Sequence, residues 1–161
     1  MSVLFEAALE LQRFFAEKEW RFCIIGGIAL LRWGEPRFTR DVDATLLSGF
    51  GNEERFISEM LTRFSARIAE ADQFAMRNRV LLLKSSNGVP MDISLGGLPF
   101  EEVCIVRATD FEFEPGCVLR TCSAEDLVVM KLFASRERDW LDVQSVADRL
   151  GERLEQRWSA R

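Results

Sequence analysis

Apolar side chains spaced three or four positions apart mark the helices of this chain. Between residues 2 and 18 they form one stripe, and Glu and Arg residues fall between them. This spacing is typical of an amphipathic helix that packs on a core. The same spacing, in most cases bounded by Gly, Pro, Asn or Ser, predicts further helices at residues 28–33, 52–64, 123–133 and 138–158.

Short apolar runs that end at turn residues mark the strands. They predict strands at residues 21–25, 42–47, 80–84, 89–95, 111–113 and 117–120, the last two from weaker patterns. Asn87-Gly88 lies between the third and fourth runs, and this dipeptide predicts a hairpin. A proline-initiated turn is expected at residues 98–103. The chain is therefore predicted to be an α+β (α/β) protein, with a small mixed or antiparallel sheet flanked by helices.

The composition limits what this fold can do. The chain has 161 residues and no His, so we expect one domain. The lack of His excludes Ser-His-Asp relays, His-bound zinc and imidazole bases. Acid–base or metal chemistry must use Asp, Glu, Lys or Cys. The formal net charge of −5 argues against stable bulk binding of nucleic acid, which needs clustered positive charge.

Cysteine use and hydropathy favour a cytoplasmic protein. None of the four cysteines forms a Cys-x-x-Cys pair, and three lie in apolar runs, so we expect reduced thiols, mostly in the core. The first twenty residues have acidic side chains within their apolar stretch and no basic leader, which is unlike a signal peptide. No apolar run approaches the roughly 18 residues that a membrane span needs, so no membrane partner is expected.

Two aspartates open the second predicted strand. Asp41 and Asp43 are two residues apart, so alternation along a strand places both side chains on one face, about 6–7 Å apart. Two carboxylates placed in this way can bridge divalent ions about 3.5–4 Å apart, the separation used in two-metal phosphoryl and nucleotidyl transfer. Mg²⁺ takes oxygen ligands, so such a site does not require His.

A glycine pair and a third aspartate add to this pattern. Gly26-Gly27 lies at a predicted strand–helix junction, where glycine lets the backbone approach a phosphate and helix N–H groups point at the anion. Asp92 interrupts an apolar strand, and a buried carboxylate needs a cation or a donor. If the two strands pair, three carboxylates converge, and the third ligates a second ion or accepts a proton from an attacking hydroxyl. Taken singly, Gly-Gly also suits a plain turn and Asp-x-Asp a solvated strand edge.

The combination resembles a known signature. Gly26-Gly27, thirteen intervening residues, Asp41-Val42-Asp43 and a later Asp92 are similar to the motif of the polymerase-beta-like nucleotidyltransferase superfamily. The surrounding sequence resembles the small bacterial branch that includes the abortive-infection nucleotidyltransferases, the toxins of toxin–antitoxin pairs. The resemblance extends over about residues 21–147 and rests on residues 26–30, 37–43 and 123–132, Arg138-Asp139 and Asp142.

The resemblance implies a metal and triphosphate site. Asp41 and Asp43 would be metal ligands, and Asp92 would complete the site as a ligand or as a base. Gly26 and Gly27 would hold the triphosphate through their backbone. The implied cofactors are two Mg²⁺ ions, or Mn²⁺, with an NTP as the substrate.

The resemblance also implies roles for residues outside this motif. Lys131 would contact nucleotide phosphates, and Arg40 is a secondary phosphate-binding candidate. Arg138, Asp139 and Asp142 match an Arg/Lys-Asp…Asp pattern, and ion pairs that position Lys131 or a charge pair at a helix start both suit them. Without the resemblance, Lys131 would suit a helix surface equally well.

These residues predict a single minimal nucleotidyltransferase domain, with a catalytic core over about 19–96 and C-terminal strands and helices over 97–161. The expected reaction moves a nucleoside monophosphate from an NTP to an acceptor hydroxyl of RNA or protein, as the toxin of a toxin–antitoxin pair with an antitoxin partner. One alternative is adenylyl transfer to a small molecule of the antibiotic type. The other is a catalytically silent nucleotide-binding or interaction module.

Overall fold

The computed structural model describes residues 1–151 of the chain. Their strands form one seven-stranded mixed sheet. The helices are α1 (Val3–Glu17), α2 (Gly26–Trp33), α3 (Glu53–Arg63), α4 (Ala71–Asn78), α5 (Pro99–Arg107), α6 (Ala124–Ala134) and α7 (Glu137–Leu150). The strands are β1 (Phe22–Ile25), β2 (Val42–Leu47), β3 (Ser65–Ala66), β4 (Val80–Lys84), β5 (Pro90–Gly96), β6 (Thr109–Glu114) and β7 (Cys117–Thr121). This mixed sheet with flanking helices confirms the predicted fold class.

The strand order is β3-β4-β5-β2-β1-β7-β6, so β2 lies in the middle of the sheet. It pairs antiparallel with β1 and parallel with β5. In this register Asp43 lies opposite Ile25 on one side and Asp92 on the other. The end of β1 and the starts of β2 and β5 therefore meet at one edge of the sheet.

Alternation along the strands separates the apolar residues from the acidic ones. Val42 and Ala44 of β2, like Met91 and Ile93 of β5, are fully buried in a core cluster with residues of α1, α3 and α4. Asp43, between the first two, therefore points to the opposite face of the sheet. A second buried cluster, built mainly from α2, α5, α6 and α7, packs beside that face.

Several local sequence patterns predict the observed elements correctly. The strand at residues 42–47 is β2 as predicted, and the Asn87-Gly88 hairpin joins the antiparallel pair β4 and β5. Ser123 caps α6, because its Oγ accepts a hydrogen bond of 3.1 Å from the backbone N–H of Asp126. Such a cap satisfies one of the free N–H groups at a helix start.

Two predictions were wrong or incomplete. The turn expected at residues 98–103 is the start of helix α5, and Glu101 accepts backbone N–H bonds of 2.8 Å from both Gly97 and Leu98. The chain between residues 64 and 80 also holds β3 and α4, which the pattern did not predict. Helix α4 lies between Glu70 and Arg79, two non-glycine residues in the left-handed region, so no Gly or Pro marks its ends.

The last predicted helix begins at Glu137 rather than Arg138 and is described as far as Leu150; its predicted continuation to residue 158 lies outside the described residues. All four cysteines are buried free thiols, as predicted. Within residues 1–151, every helix is too short or too polar to cross a membrane.

Candidate active site

Three carboxylates meet at the edge of the sheet where β1 ends and β2 and β5 begin. Asp41 directly precedes β2, Asp43 lies within β2, and Asp92 lies opposite Asp43 in β5. One oxygen of each carboxylate lies within 4.8 Å of the corresponding oxygen of the other two. Each of the three residues is only partly buried. The pairing of two strands thus brings together residues that are some fifty positions apart in the sequence.

The glycine pair fits closely against this cluster. Gly26 has a φ of +62°, which favours glycine, and a Cβ at this position would come within 2.8 Å of Asp43 Cγ. A Cβ on Gly27 would come within 2.8 Å of Thr39 Cβ. Gly26 therefore has to be glycine for two reasons, its backbone conformation and the nearby carboxylate.

Mutual repulsion and burial make Asp43 an unusual carboxyl group. Burial raises its pKa most, the charges of Asp41 and Asp92 raise it further, and Lys131 and the Gly27 backbone lower it in part, so that the pKa is about 6. A carboxyl group shifted in this direction lacks sufficient positive charge around its ionised form. A divalent cation held between the three carboxylates would supply that charge. The donor set therefore fits a hard cation such as Mg²⁺ or Mn²⁺.

Arg67, which the sequence analysis did not single out, contacts the third carboxylate. Its guanidinium lies 2.7 Å from Asp92 Oδ1, while this buried oxygen accepts no hydrogen bond from residues 1–151. The contact is therefore an ion pair with poor hydrogen-bond angles, and Asp92 keeps acceptor capacity for a cation. Arg67 directly follows the two-residue strand β3, where no sequence pattern gave a signal.

Lys131 is buried in an ion-pair cluster at the junction of α6 and α7. Its Nζ lies 3.2 Å from Asp139 Oδ1 and 2.8 Å from Asp142 Oδ2. Arg37 makes two hydrogen bonds to Asp142, of 2.9 and 3.0 Å, and Arg136 Nε lies 2.7 Å from Asp139 Oδ2. Burial would raise the pKa of Asp139, but the hydrogen bonds from Arg136 and Lys131 outweigh it and lower that pKa to about 2.

This cluster contains three cationic side chains and two carboxylates, so it carries an excess of one positive charge. Each carboxylate has an arginine partner in addition to Lys131. Two of the three Nζ hydrogens of Lys131 serve Asp139 and Asp142, which leaves the third for a ligand as far as residues 1–151 are concerned. Lys131 also lines the same cavity as the three aspartates, so the excess charge lies beside the candidate metal site.

The cavity has a volume of about 490 Å³ and contains most of the residues that the sequence singled out. Asp139 and Asp142 contact the cavity indirectly, because both bind Lys131, which lines it. The arginines paired with these two aspartates are Arg136 and Arg37, while Arg138 is a separate lining residue. The predicted residues that line the cavity are Gly26, Gly27, Arg40, Asp41, Asp43, Asp92, Lys131 and Arg138.

Solved structures with the same fold include antibiotic-modifying enzymes. The lincomycin-bound lincosamide antibiotic adenylyltransferase LnuA superimposes with a TM-score of 0.54 and 13% identity, over 88% of this chain and 94% of that chain. ANT(2'')-Ia in complex with adenylyl-2''-tobramycin gives a TM-score of 0.58 and 18% identity, over 99% of this chain and 97% of that chain. At such identities these likenesses establish the fold.

An antigenic nucleotidyltransferase-like protein from Paracoccidioides brasiliensis also shares the fold. Its TM-score is 0.57 and its identity 16%, over 89% of this chain and 74% of that chain. No curated protein matches this sequence significantly.

The family itself is shown by the sequence. Residues 9–158 match the family described as the nucleotidyl transferase AbiEii toxin of type IV toxin–antitoxin systems. That match covers nearly the whole chain, and it confirms the predicted superfamily and branch. This chain therefore belongs to the AbiEii nucleotidyltransferase family and is a nucleotidyltransferase enzyme.

Proposed function

We propose that Asp41, Asp43 and Asp92 hold divalent cations and that the enzyme moves a nucleoside monophosphate from an NTP to an acceptor hydroxyl. The observation that supports this proposal is the meeting of three carboxylates within 4.8 Å beside a glycine turn. Burial raises the pKa of Asp43 most and the charges of Asp41 and Asp92 raise it further, which is the environment that a cation would relieve. Oxygen donors suit Mg²⁺ or Mn²⁺, which would neutralise negative charge on the reacting phosphates.

The reaction exchanges one bond to phosphorus for another. The acceptor oxygen bonds to the α-phosphorus of the NTP, the bond from that phosphorus to the bridging oxygen of pyrophosphate breaks, and pyrophosphate leaves. The hydroxyl proton passes to a carboxylate, and we assign this role to Asp92, either alone or in addition to metal binding. The enzyme's part is mainly to position the reactants and to stabilise charge.

The phosphates of the donor NTP are assigned to the glycine turn and the neighbouring cations. Gly26 and Gly27 begin α2, where backbone N–H groups can face an anion. Lys131 brings the excess positive charge of its cluster to the cavity wall, and Arg40 adds a second cation. Asp139 and Asp142 are positioning residues for Lys131, because their carboxylates bind its Nζ at 3.2 and 2.8 Å.

For the acceptor we propose RNA or protein, with this chain as the toxin and an antitoxin as its partner. Membership of the AbiEii toxin family supports this choice. The fold shared with LnuA and ANT(2'')-Ia supports a second candidate, adenylyl transfer to an antibiotic. The cavity of this chain is lined by five basic residues and three acidic ones. Such a lining suits an anionic acceptor better than an acceptor with many amino groups.

Replacement of either central aspartate tests the metal site. Asp41→Asn and Asp43→Asn should each lower metal-dependent NTP turnover at least about a hundredfold, because each removes a charged ligand while keeping the shape of the side chain. Release of labelled pyrophosphate from γ-labelled NTP measures the effect. Asp110→Asn, at a side chain that is 65% exposed on β6, is the matched control and should keep full turnover. Unchanged turnover in either site variant would refute the assignment.

Label transfer tests the acceptor. With α-labelled NTP, Mg²⁺ and whole-cell extract, label should move to RNA or protein and should require Asp43. Digestion with ribonuclease or protease identifies which of the two carries it. Parallel reactions with lincomycin and tobramycin test the antibiotic alternative. Label on either antibiotic, with none on a macromolecule, would overturn the proposed acceptor.

The pKa of Asp43 predicts a pH-dependent stability of the metal-free protein. A carboxyl group near 3.8 when unfolded and near 6 when folded favours folding at low pH, and this contribution is lost as the pH rises through 6. Asp43→Asn should therefore stabilise the protein at pH 8 by about 2–3 kcal/mol more than at pH 4. Urea unfolding with a chelator present measures this difference. The same effect of the substitution at both pH values would show that Asp43 titrates normally.

Removal of Lys131 separates its binding role from a structural one. Lys131→Met should still fold, because Arg37 and Arg136 keep Asp142 and Asp139 paired. It should weaken the binding of Mg²⁺-NTP about 10- to 100-fold through loss of a charged contact. Calorimetry measures the affinity, and Lys84→Met, at an exposed position of β4, is the control. A folded Lys131→Met protein with undiminished affinity would contradict the phosphate role.

A further inference from the structure

An aromatic side chain at the mouth of the cavity has no part in the roles assigned above. Phe38 lines the same cavity as the three aspartates and Lys131, and it is 79% exposed. It lies in the segment between α2 and β2, three residues before Asp41. A large apolar ring held in solvent beside a catalytic cavity is a contact surface for a ligand unless its segment is merely loose.

The segment is fixed on both sides of Phe38. Before it, the Arg37 guanidinium makes two hydrogen bonds to the buried carboxylate of Asp142. After it, Thr39 packs so closely on Gly27 that a Cβ on the glycine would collide with it. With Arg37 and Thr39 both turned inward, Phe38 is directed outward. Its exposure is therefore set by the anchored backbone.

Arg40 is the next outward side chain along this segment, and it contacts the exposed ring. Its guanidinium carbon lies 5.2 Å from the centre of the Phe38 ring, within the range of a cation–π contact. Arg40 itself is exposed and lines the cavity. An open ring with a guanidinium beside it offers one planar apolar surface and one set of hydrogen-bond donors at the same place.

A nucleobase joined to its sugar phosphate has the complementary chemistry. Every base has a planar face that stacks on an aromatic ring, and the adjoining phosphate is attracted to arginine. Arg138 also lines this cavity, which adds positive charge for such a phosphate. A lipid tail or an apolar peptide would offer no anionic group to Arg40 and Arg138.

We propose that Phe38 and Arg40 form a base-binding lip, in which the Phe38 ring stacks on a nucleobase and Arg40 contacts the attached sugar phosphate. This inference rests on the proposed nucleotidyl transfer and adds to it the residue that recognises a base. The base belongs either to the donor NTP or to the terminal nucleotide of an RNA acceptor. Both sources present the same chemistry to the lip.

The test compares binding with and without a base. Calorimetry with Mg²⁺ measures the affinity of wild type, Phe38→Ala and Phe38→Trp for α,β-methylene analogues of the four NTPs, for inorganic tripolyphosphate and for a short single-stranded RNA. Phe133→Ala is the matched control, since Phe133 is 94% exposed on α6 and does not line the cavity. Thermal unfolding of each variant confirms that it is folded.

We expect Phe38→Ala to weaken the binding of a base-containing ligand about 5- to 150-fold, the range that corresponds to loss of one stacked base. Phe38→Trp should keep that affinity within about threefold, because Trp also offers a ring for stacking. Tripolyphosphate affinity should not change, because that ligand has no base. If Phe38→Ala binds the NTP analogues less tightly, the lip holds the base of the donor. If it binds only the RNA less tightly, the lip holds a base of the acceptor.

Two results would overturn the lip, and they differ from a failure of the proposed function. The lip is refuted if Phe38→Ala binds every ligand as tightly as Phe133→Ala does. It is also refuted if Phe38→Ala lowers the affinity for tripolyphosphate as much as the affinity for the NTP analogues. The proposed function fails, and the lip with it, if wild type itself binds neither the analogues nor tripolyphosphate in Mg²⁺. The wild-type measurement thus reports on the function, and the Phe38 variants report on the lip.

Discussion

Asp43 and Asp92 lie opposite one another in adjacent parallel strands, so the register of the sheet keeps their like charges close together. A shift by one residue would turn the apolar neighbours of both aspartates, such as Val42 and Met91, out of the core. The burial of these neighbours therefore holds the carboxylates together against their repulsion. Burial raises the pKa of Asp43 most and this repulsion raises it further, so the same geometry favours a cation between the carboxylates.

The ion-pair cluster around Lys131 supplies positive charge to the same cavity. Lys131, Arg37 and Arg136 surround Asp139 and Asp142, so the lysine is held in place and keeps its charge. Arg37 links this cluster to the segment between α2 and β2, which ends at Asp41. One ion-pair cluster thus anchors both Lys131 and the segment that carries Phe38 and leads to Asp41. The relative positions of these groups depend on α7 packing correctly against α6 and α2.

Much of the fold follows from local pattern. Strand β2 and the β4–β5 hairpin were predicted because alternation and Asn-Gly act over a few residues. Helix α4 was missed because its ends carry neither Gly nor Pro, and β3 because two residues have no detectable period. Helix α5 was predicted as a turn because Pro99 also suits the start of a turn, whereas the Glu101 carboxylate caps a helix start here.

The sequence by itself determined the chemistry available here: oxygen ligands without His, a glycine turn and Asp-x-Asp on one strand face, since these depend on residue type and short spacing. Tertiary structure decided which distant groups meet. It placed Asp92 beside Asp43 and paired Arg67 with Asp92. It paired the buried aspartates of the Lys131 cluster with Arg37 and Arg136 rather than with Arg138. It also left Phe38 exposed to solvent. Such contacts depend on strand order and helix packing, which join residues with no regular separation along the chain.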